Sequence, residues 1–422
     1  MSHGQKMIQF LQDKQLEQAT AEFNLALQHD NKEELYLLAD SLYELGFLKE
    51  TRTIDLQLLN ADPYNDELKI SLAEIAIEED DVDQAMEWLS QIGETSQAYP
   101  QSLMVQADMY FVQGLYEVSE QKLLQAQDIL GDEPVIQFAL AELHFAMGKD
   151  AQAIRGYEAL MEKGYTEFSG INLAGRNGNA YSALGDFDEA VLYLEQSIEE
   201  DEKTDTLFQL GFTYLQKKDN QRAVETLFQL KELDPSYTSL YPYLAVGLEE
   251  ENRLEKAAEV IQEGLQYDRY NPDLYLQGAN IAIKLENEEL AEQYFKEAIT
   301  LAPDNAVYLL GYANLLLKQE RYEETIAMVQ AKLKEEVVDP QFYWNLAQAN
   351  NGLENYEAAG AGYKKAYPSF RQNTDFLREY IDYLREEGNR DIIKEVLGDY
   401  LVLEPTDEEM VTLLESINGN DE

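Results

Sequence analysis

Four acidic side chains recur at a constant interval in the first third of the chain. They are Asp40, Glu74, Asp108 and Glu142, which we call the acidic row. Carboxylates can accept charge-assisted hydrogen bonds from several Lys or Arg side chains of another molecule. The constant interval indicates that all four occupy one position of a repeated element. We therefore predict that the acidic row lines a surface that binds a basic segment of a protein or peptide.

Apolar and aromatic residues flank the acidic row four positions before and three positions after each acid. The flanking residues are Tyr36, Ile70, Met104 and Phe138 on one side and Tyr43, Ile77, Phe111 and Phe145 on the other. Helical spacing places these positions on one face with the acids. The predicted contacts for a partner are Tyr36, Tyr43, Phe111, Phe138 and Phe145 together with the acidic row. An amphipathic helix or an extended tail with intervening Lys or Arg would fit such a groove.

Two other interpretations of the same positions stay open. Acidic residues are so frequent in this sequence that some would fall at any free position of a repeat. The flanking apolar residues could instead belong to the intramolecular core.

Later in the chain the position of the acidic row is occupied by amide side chains at Asn280, Asn314 and Gln348. An amide both donates and accepts hydrogen bonds, so a row of amides can hold a peptide backbone of any sequence. Each hydrogen bond contributes only about 0.5–1.5 kcal/mol, and the amides would assist binding without supplying it. A receptor for a short peptide is thus the alternative function, and an ordinary polar surface is the simpler interpretation.

The charge balance constrains the partner. Asp and Glu number 82 against 32 Lys and Arg, which gives a formal net charge of -50. This balance disfavours direct binding to nucleic acid and to anionic membranes, and it favours a basic protein partner. Alternatively, the charge only keeps a long Tyr-rich chain dissolved. A mimic of nucleic acid is conceivable from charge alone.

The sequence contains no motif that predicts catalysis or a cofactor. Cysteine is absent, and His3, His29 and His144 are far apart in the chain. No Gly-rich phosphate loop, His-Glu-x-x-His pair or Gly-x-Ser-x-Gly elbow occurs. We expect a non-enzymatic protein without a metal or cofactor. The first residues resemble no export signal, and no apolar stretch approaches the roughly 20 residues of a membrane span. A cytoplasmic protein is the expectation.

The elements that would position these side chains are helical hairpins. Leu207, Leu210, Gly211 and Tyr214 share one face of a predicted helix, and a polar turn leads to a second helix. The small residue that opens each second helix forms the series Ala19, Thr51, Ala85, Ser119, Ala153, Ala190, Ala223, Ala257, Ala291, Thr325, Ala359 and Ile393. A large apolar residue follows four positions later in every copy except one, where Asp55 stands.

This pattern resembles the tetratricopeptide repeat, a helical hairpin of roughly 34 residues with small and large residues at fixed places. The best copy comprises Leu207, Leu210, Gly211, Tyr214, Ala223, Leu227 and Pro235. The resemblance implies an all-α, right-handed superhelical solenoid of about twelve hairpins, with first helices lining a groove that binds protein. In its overall acidic character the chain is also similar to the tetratricopeptide proteins of low-GC Gram-positive bacteria called YpiA.

The interval widens by three residues at one place, between Ala153 and Ala190. The extra residues fall around positions 162–170, and Gly175 and Gly178 follow inside a predicted helix. Glycine in a helix interior costs about 1 kcal/mol, so this is the predicted boundary. The predicted domains are an N-terminal array with the acidic groove (1–165), a C-terminal array with the amides (166–405), and a capping helix with an acidic tail (406–422).

Overall fold

The computed structural model describes residues 1–333 and 339–419, which form short helices joined by turns. The chain divides into two compact units, Met1–Lys217 (unit 1) and Lys218–Glu422 (unit 2). The predicted boundary at 165/166 lies inside unit 1 and stays a prediction. Residues 420–422 of the predicted acidic tail lie outside the described residues.

Unit 1 contains six consecutive hairpins and one further helix. Its helices are His3–Gln12 (α1), Leu16–His29 (α2), Lys32–Glu44 (α3), Leu48–Ala61 (α4), Asp66–Glu78 (α5), Val82–Leu89 (α6), Tyr99–Val112 (α7), Tyr116–Leu130 (α8), Pro134–Ala146 (α9), Asp150–Glu162 (α10), Leu173–Leu184 (α11), Phe187–Glu200 (α12) and Thr204–Gln216 (α13). Within each hairpin the two helices pack against each other, and from α4 onwards the second helix also packs on the first helix of the next hairpin.

Unit 2 repeats this arrangement within its described residues. Its helices are Asn220–Leu233 (α14), Leu240–Glu250 (α15), Leu254–Tyr267 (α16), Pro272–Lys284 (α17), Glu288–Leu301 (α18), Ala306–Lys318 (α19), Tyr322–Lys332 (α20), Gln341–Gly352 (α21), Tyr356–Phe370 (α22), Thr374–Glu387 (α23), Arg390–Leu403 (α24) and Glu408–Gly419 (α25). The last helix, α25, packs on α24 and buries Met410 completely. It is the predicted capping helix of the array.

Polar caps and left-handed turns set the limits of the helices. At α3 the side chain of Asn31 accepts a hydrogen bond from the Glu34 amide, and Asn65 does the same for Leu68 at α5. Between the two helices of each hairpin one residue adopts a positive φ, as Gly114 (+73°) and Glu320 (+57°) do. Such a residue ends the first helix and reverses the chain. The turn therefore recurs at one place in each repeat.

The core confirms the predicted columns of small and large residues. Every member of the small series is at most 3% exposed, and the residues four positions later are at most 9% exposed. Because the small side chains let the paired helices approach closely, the large ones can fill the space between hairpins. The predicted all-α fold of stacked hairpins is therefore confirmed.

The widened interval between the fifth and sixth hairpins contains a small β-hairpin, which the sequence did not predict. Strand Glu167–Phe168 (β1) pairs antiparallel with Ile171–Asn172 (β2). Ser169 and Gly170 connect the strands, both with positive φ, as a two-residue hairpin loop requires. Gly178 serves close packing, since a Cβ there would lie 2.7 Å from Leu194 Cγ on α12.

Candidate functional site

The acidic row lies on the first helices of four consecutive hairpins in unit 1. Asp40 is on α3, Glu74 on α5, Asp108 on α7 and Glu142 on α9, each at the equivalent place. The row therefore exists as a structural feature, and it is distributed over two pockets of unit 1.

The first pocket has a volume of about 310 Å³ and combines Asp40 with Glu74. The remaining lining residues are Ala39, Tyr43, Glu44, Thr51, Glu67, Ile70, Ser71 and Gln101. Two further acids, Glu44 and Glu67, thus join the two members of the acidic row. The carboxylates of this pocket can accept hydrogen bonds and attract positively charged groups.

The second pocket has a volume of about 280 Å³ and combines Asp108 with Glu142. Its apolar and polar walls are Met104, Phe111, Ser119, Leu123, Val135, Phe138, Ala139, Leu143, Phe168 and Ser169. Aromatic rings thus surround two carboxylates, and one of those rings belongs to the inserted β-hairpin.

A buried carboxylate below the acidic row strengthens its negative potential. Asp55 on α4 is 2% exposed and accepts a hydrogen bond of 2.6 Å from Ser71. Burial raises the pKa of Asp55 to about 6; the Ser71 hydrogen bond opposes the change and the charge of Asp40 adds to it. Burial and the charges of Asp108 and Asp55 raise the pKa of Glu74 to about 7. These acids therefore interact with one another through like-charge repulsion.

Asp108 shares this environment in the second pocket. Although part of Asp108 is exposed, the surrounding walls exclude enough water to raise its pKa. Within residues 1–333 and 339–419, no Lys, Arg or His forms an ion pair with Asp40, Asp55, Glu74 or Asp108. The negative charge of this group is therefore not balanced by the described chain.

Glu142, the fourth member of the row, differs from the other three. Its carboxylate accepts a hydrogen bond of 2.6 Å from the Tyr157 hydroxyl and pairs with Arg176 Nη2 at 3.1 Å. Arg176 comes from α11, the first helix of the next hairpin. The chain itself thus neutralises Glu142, whereas Asp40, Glu74 and Asp108 have no cation beside them among the described residues.

The flanking aromatic residues fall into two groups. Phe111 is 37% exposed beside Tyr116, and Tyr36 is half-buried with its hydroxyl accepting a hydrogen bond from Asn65. Phe138 is only 9% exposed, and Phe145 packs on the same core cluster. Most of the Phe138 and Phe145 side chains therefore belongs to the intramolecular core. Tyr43 lines the first pocket beside Glu74, and its pKa is raised by burial and by that charge.

The amide positions of unit 2 are already partly engaged. Asn280 is exposed on α17. Asn314 Oδ1 accepts a hydrogen bond of 2.7 Å from the buried Asn345, and Gln348 Nε2 donates one of 2.8 Å to Glu379. The amides therefore do not form an uninterrupted free row.

Sequence reasoning missed two contributors to the site. Asp55 stands where the other repeats have a large apolar residue, and that substitution was the available signal for a buried acid. Phe168 enters the second pocket from the β-hairpin, for which the widened interval was the only indication. Neither residue belongs to the positions that recur along the acidic row.

Within the part of the chain that the structure describes, no group of three His, Cys, Asp or Glu side chains is arranged to hold a metal ion. None of the described helices has both the length and the apolar character needed to cross a membrane.

Comparison with solved structures finds similarities with TM-scores below 0.5. The Cut9–Hcn1 hetero-tetramer of the APC/C matches with a TM-score of 0.41 and 12% identity, covering 97% of this chain and 95% of that chain. PilF of Pseudomonas aeruginosa matches with a TM-score of 0.43 and 22% identity, covering 51% and 98%.

Comparison with families and sequences is more specific. The model for YpiA-like tetratricopeptide repeats matches residues 112–165, and the one for YpiA-like C-terminal repeats matches 340–407. The general tetratricopeptide model matches residues 176–204, 204–237 and 272–305. Arrays of this repeat generally act as scaffolds that bind protein or peptide partners. The TPR repeat-containing protein YpiA of Bacillus subtilis (strain 168) is 37% identical over 382 residues, which cover 90% of both chains. The chain therefore belongs to the YpiA family of tetratricopeptide-repeat proteins.

Proposed function

We propose that this chain is a non-enzymatic scaffold that holds a basic, amphipathic segment of a partner protein against the first helices of unit 1. The observation that carries the proposal is the absence of a balancing cation beside Asp40, Glu74 and Asp108 within the described residues. A cytoplasmic location belongs to the same proposal and rests on the sequence.

The physical reason is that the site is incomplete without positive charge. Clustered carboxylates with raised pKa values repel one another and have lost part of their hydration. A Lys or Arg from a partner would remove the repulsion and donate charge-assisted hydrogen bonds. Desolvation of the partner offsets part of this gain, so electrostatics would mainly set encounter rate and selectivity. The apolar walls of the second pocket would then lengthen the residence of the partner.

The test uses a synthetic amphipathic peptide with Lys at helical spacing and measures its binding by fluorescence anisotropy. The variant Asp40→Asn/Glu74→Gln/Asp108→Asn should bind at least tenfold more weakly than the wild type and show a flatter salt dependence, since screening acts on charge pairs. The matched control is Asp83→Asn/Glu87→Gln/Asp128→Asn, which replaces the same residue types at exposed positions on α6 and α8. Equal weakening in both variants would show that only net charge matters and would overturn the proposal.

Proton release gives a second readout of the same event. A cation beside Glu74 would lower its pKa, which is about 7 in the free protein. Binding at pH 7 should therefore release protons in the wild type. Titration calorimetry in two buffers of different ionisation enthalpy measures this, and the release should decrease in Glu74→Gln.

The alternative function is a receptor that grips a short peptide through Asn280, Asn314 and Gln348. The exposure of Asn280 and Asn314 supports it, whereas the bond from Gln348 to Glu379 reduces what the row can offer. Synthetic peptides that raise the thermal stability of the wild type but not of Asn280→Ala/Asn314→Ala would favour this alternative.

A further inference from the structure

The second pocket has a wall that the regular repeats of the chain do not possess. The β-hairpin formed by β1 and β2 interrupts the regular repeat interval and places Phe168 and Ser169 in the pocket lining. Phe168 stacks on Phe138 of α9 with ring centroids 4.9 Å apart. The hairpin is therefore fixed to the first-helix face by an aromatic contact, and it narrows the pocket on that side.

The rim of this pocket exposes apolar side chains to water. Phe111 is 37% exposed and Val135 is 40% exposed. Leaving apolar surface in water is unfavourable in proportion to its area. An apolar group that enters between these two residues would therefore bury apolar surface on both, which favours binding.

Only one of the two carboxylates in the pocket is available to a partner. Glu142 is already held by Tyr157 and Arg176, whereas Asp108 has no cation beside it among the described residues. The pocket thus offers an apolar cleft with one unbalanced negative charge at its edge. This asymmetry fixes where a basic side chain of the occupant must lie.

The size of the pocket limits the occupant. At about 280 Å³ it is at the lower end of the range of about 300–1,000 Å³ that is usual for sites of small molecules. It has room for one large side chain of a protein. A side chain of that kind and a cation can reach the pocket and Asp108 together when they are three or four residues apart on a helix.

We propose that the second pocket is the anchor point of the partner, taking one Phe, Leu or Met side chain of a helix that carries Lys or Arg one turn away for Asp108. This inference rests on the proposed function and makes it more specific. It assigns selectivity for the apolar residue to the inserted β-hairpin and assigns the charge contact to Asp108.

The test compares two peptides of about 18 residues, about 27 Å long as helices. Both carry Lys at heptad spacing, and one has a central Phe that is Ala in the other. Wild-type protein should bind the Phe peptide at least tenfold more tightly, measured by fluorescence anisotropy. Phe168→Ala, which removes a wall, and Ala139→Leu, which fills the pocket, should both abolish this preference while salt-dependent binding persists.

The control and the alternative outcomes separate the two proposals. Ile129→Ala removes an apolar side chain that is 53% exposed on α8, outside the pocket, and should keep the preference. Circular dichroism establishes that each variant is folded, and Ala139→Leu leaves the β-hairpin itself unchanged in sequence. Salt-dependent binding of both peptides without a preference would overturn the anchor and leave the proposed function standing. Failure of the wild type to bind either peptide at low salt would overturn both.

Discussion

In unit 1 three carboxylates of the acidic row, Asp40, Glu74 and Asp108, have no cation beside them among the described residues, whereas Glu292 on a second helix of unit 2 is paired with Lys and Arg. Burial, together with the charges of Asp108 and Asp55, raises the pKa of Glu74 to about 7. Glu292 in unit 2 is held by Arg321 and Lys296, each at 2.7 Å, and its pKa is lowered to about 2. The same residue type thus has opposite electrostatic environments in the two units.

The difference shows that the acidic composition does not have a single role along the chain. In unit 2, acidic side chains form ion pairs within the unit, such as Glu249 with Lys284 and Glu288 with Lys318. Unit 1 leaves its acidic row largely without counter-charges. Negative charge that does not stabilise the folded chain is available for a partner, and this supports the proposed binding surface in unit 1.

Replacement of Arg321 tests the contrast between the two units first, and we expect it to change the free energy of unfolding most. Arg321 contacts Glu292 and Glu324 through charge-assisted hydrogen bonds and is 31% exposed. Arg321→Gln should lower the free energy of unfolding of unit 2 by about 2 kcal/mol at pH 7, because Glu292 loses its main partner. Urea unfolding followed by circular dichroism measures this change. Arg385→Gln is the control, since that more exposed Arg makes only peripheral pairs and should change stability by less than about 0.5 kcal/mol.

The expected pH dependence follows from the lowered pKa of Glu292. A carboxyl group whose pKa falls from 4.5 to about 2 on folding stabilises the protein above pH 4.5. That contribution is lost as the pH falls towards 2. Arg321→Gln should therefore differ most from the wild type near neutral pH and converge with it in acid. Equal destabilisation at pH 7 and pH 2 would contradict the assigned role of the ion pair.

The second test concerns Glu74, whose pKa is raised by folding whereas that of Glu292 is lowered. Its pKa rises from 4.5 to about 7 on folding, so its contribution to stability is present below pH 4.5 and is lost as the pH rises through 7. Glu74→Gln should raise the free energy of unfolding by about 1 kcal/mol at pH 8 and have little effect at pH 5. Asp55, Asp108 and Tyr43 face the same region, and the remaining pH dependence belongs to them.

Thermal unfolding at pH 5 and pH 8 measures this change, with Glu87→Gln as the matched control. Glu87 is exposed on α6, and its replacement should not alter stability at either pH. If Glu74→Gln were less stable than the wild type at pH 8, an unrecognised counter-charge would have to be present in unit 1. The contrast between the units would then fail.

The sequence predicted the repeated fold well because its signals are local and periodic. Ala153 and Tyr157, for example, were identified by their place in the periodic columns, and both are fully buried. The acidic row was likewise predicted to lie on equivalent helical positions. The periodic pattern could not show which acids are neutralised, because the partners come from other helices. Arg176 neutralises Glu142 from the next hairpin, whereas the positions at the same distance from the three earlier acids are themselves acidic.

The inserted β-hairpin and the buried acid show a second limit. A widened interval indicates that residues are inserted, but it does not specify that Ser169 and Gly170 turn the chain back and bring Phe168 onto Phe138. Asp55 was visible as an exception to a column, whereas its effect on Glu74 depends on burial and distance. Both features depend on tertiary packing that the periodic pattern does not encode.

The smallest expected effect concerns the turns, some of which differ between the two units. The turns after α3, α7 and α9 in unit 1 have Gly at the positive-φ position, whereas those after α17, α19 and α21 in unit 2 have Glu. A side chain with a Cβ is strained there by about 1 kcal/mol, and Gly offsets part of the gain through its greater freedom in the unfolded chain. Glu320→Gly should therefore stabilise unit 2 by about 0.5 kcal/mol, whereas Gly114→Glu should destabilise unit 1 by a similar amount. A Cβ at Gly114 would have no neighbour within 4 Å, so the change measures backbone strain without a steric clash. Urea unfolding measures the change in the free energy of unfolding for both variants. Changes of the same sign would show that the turn geometry differs between the units.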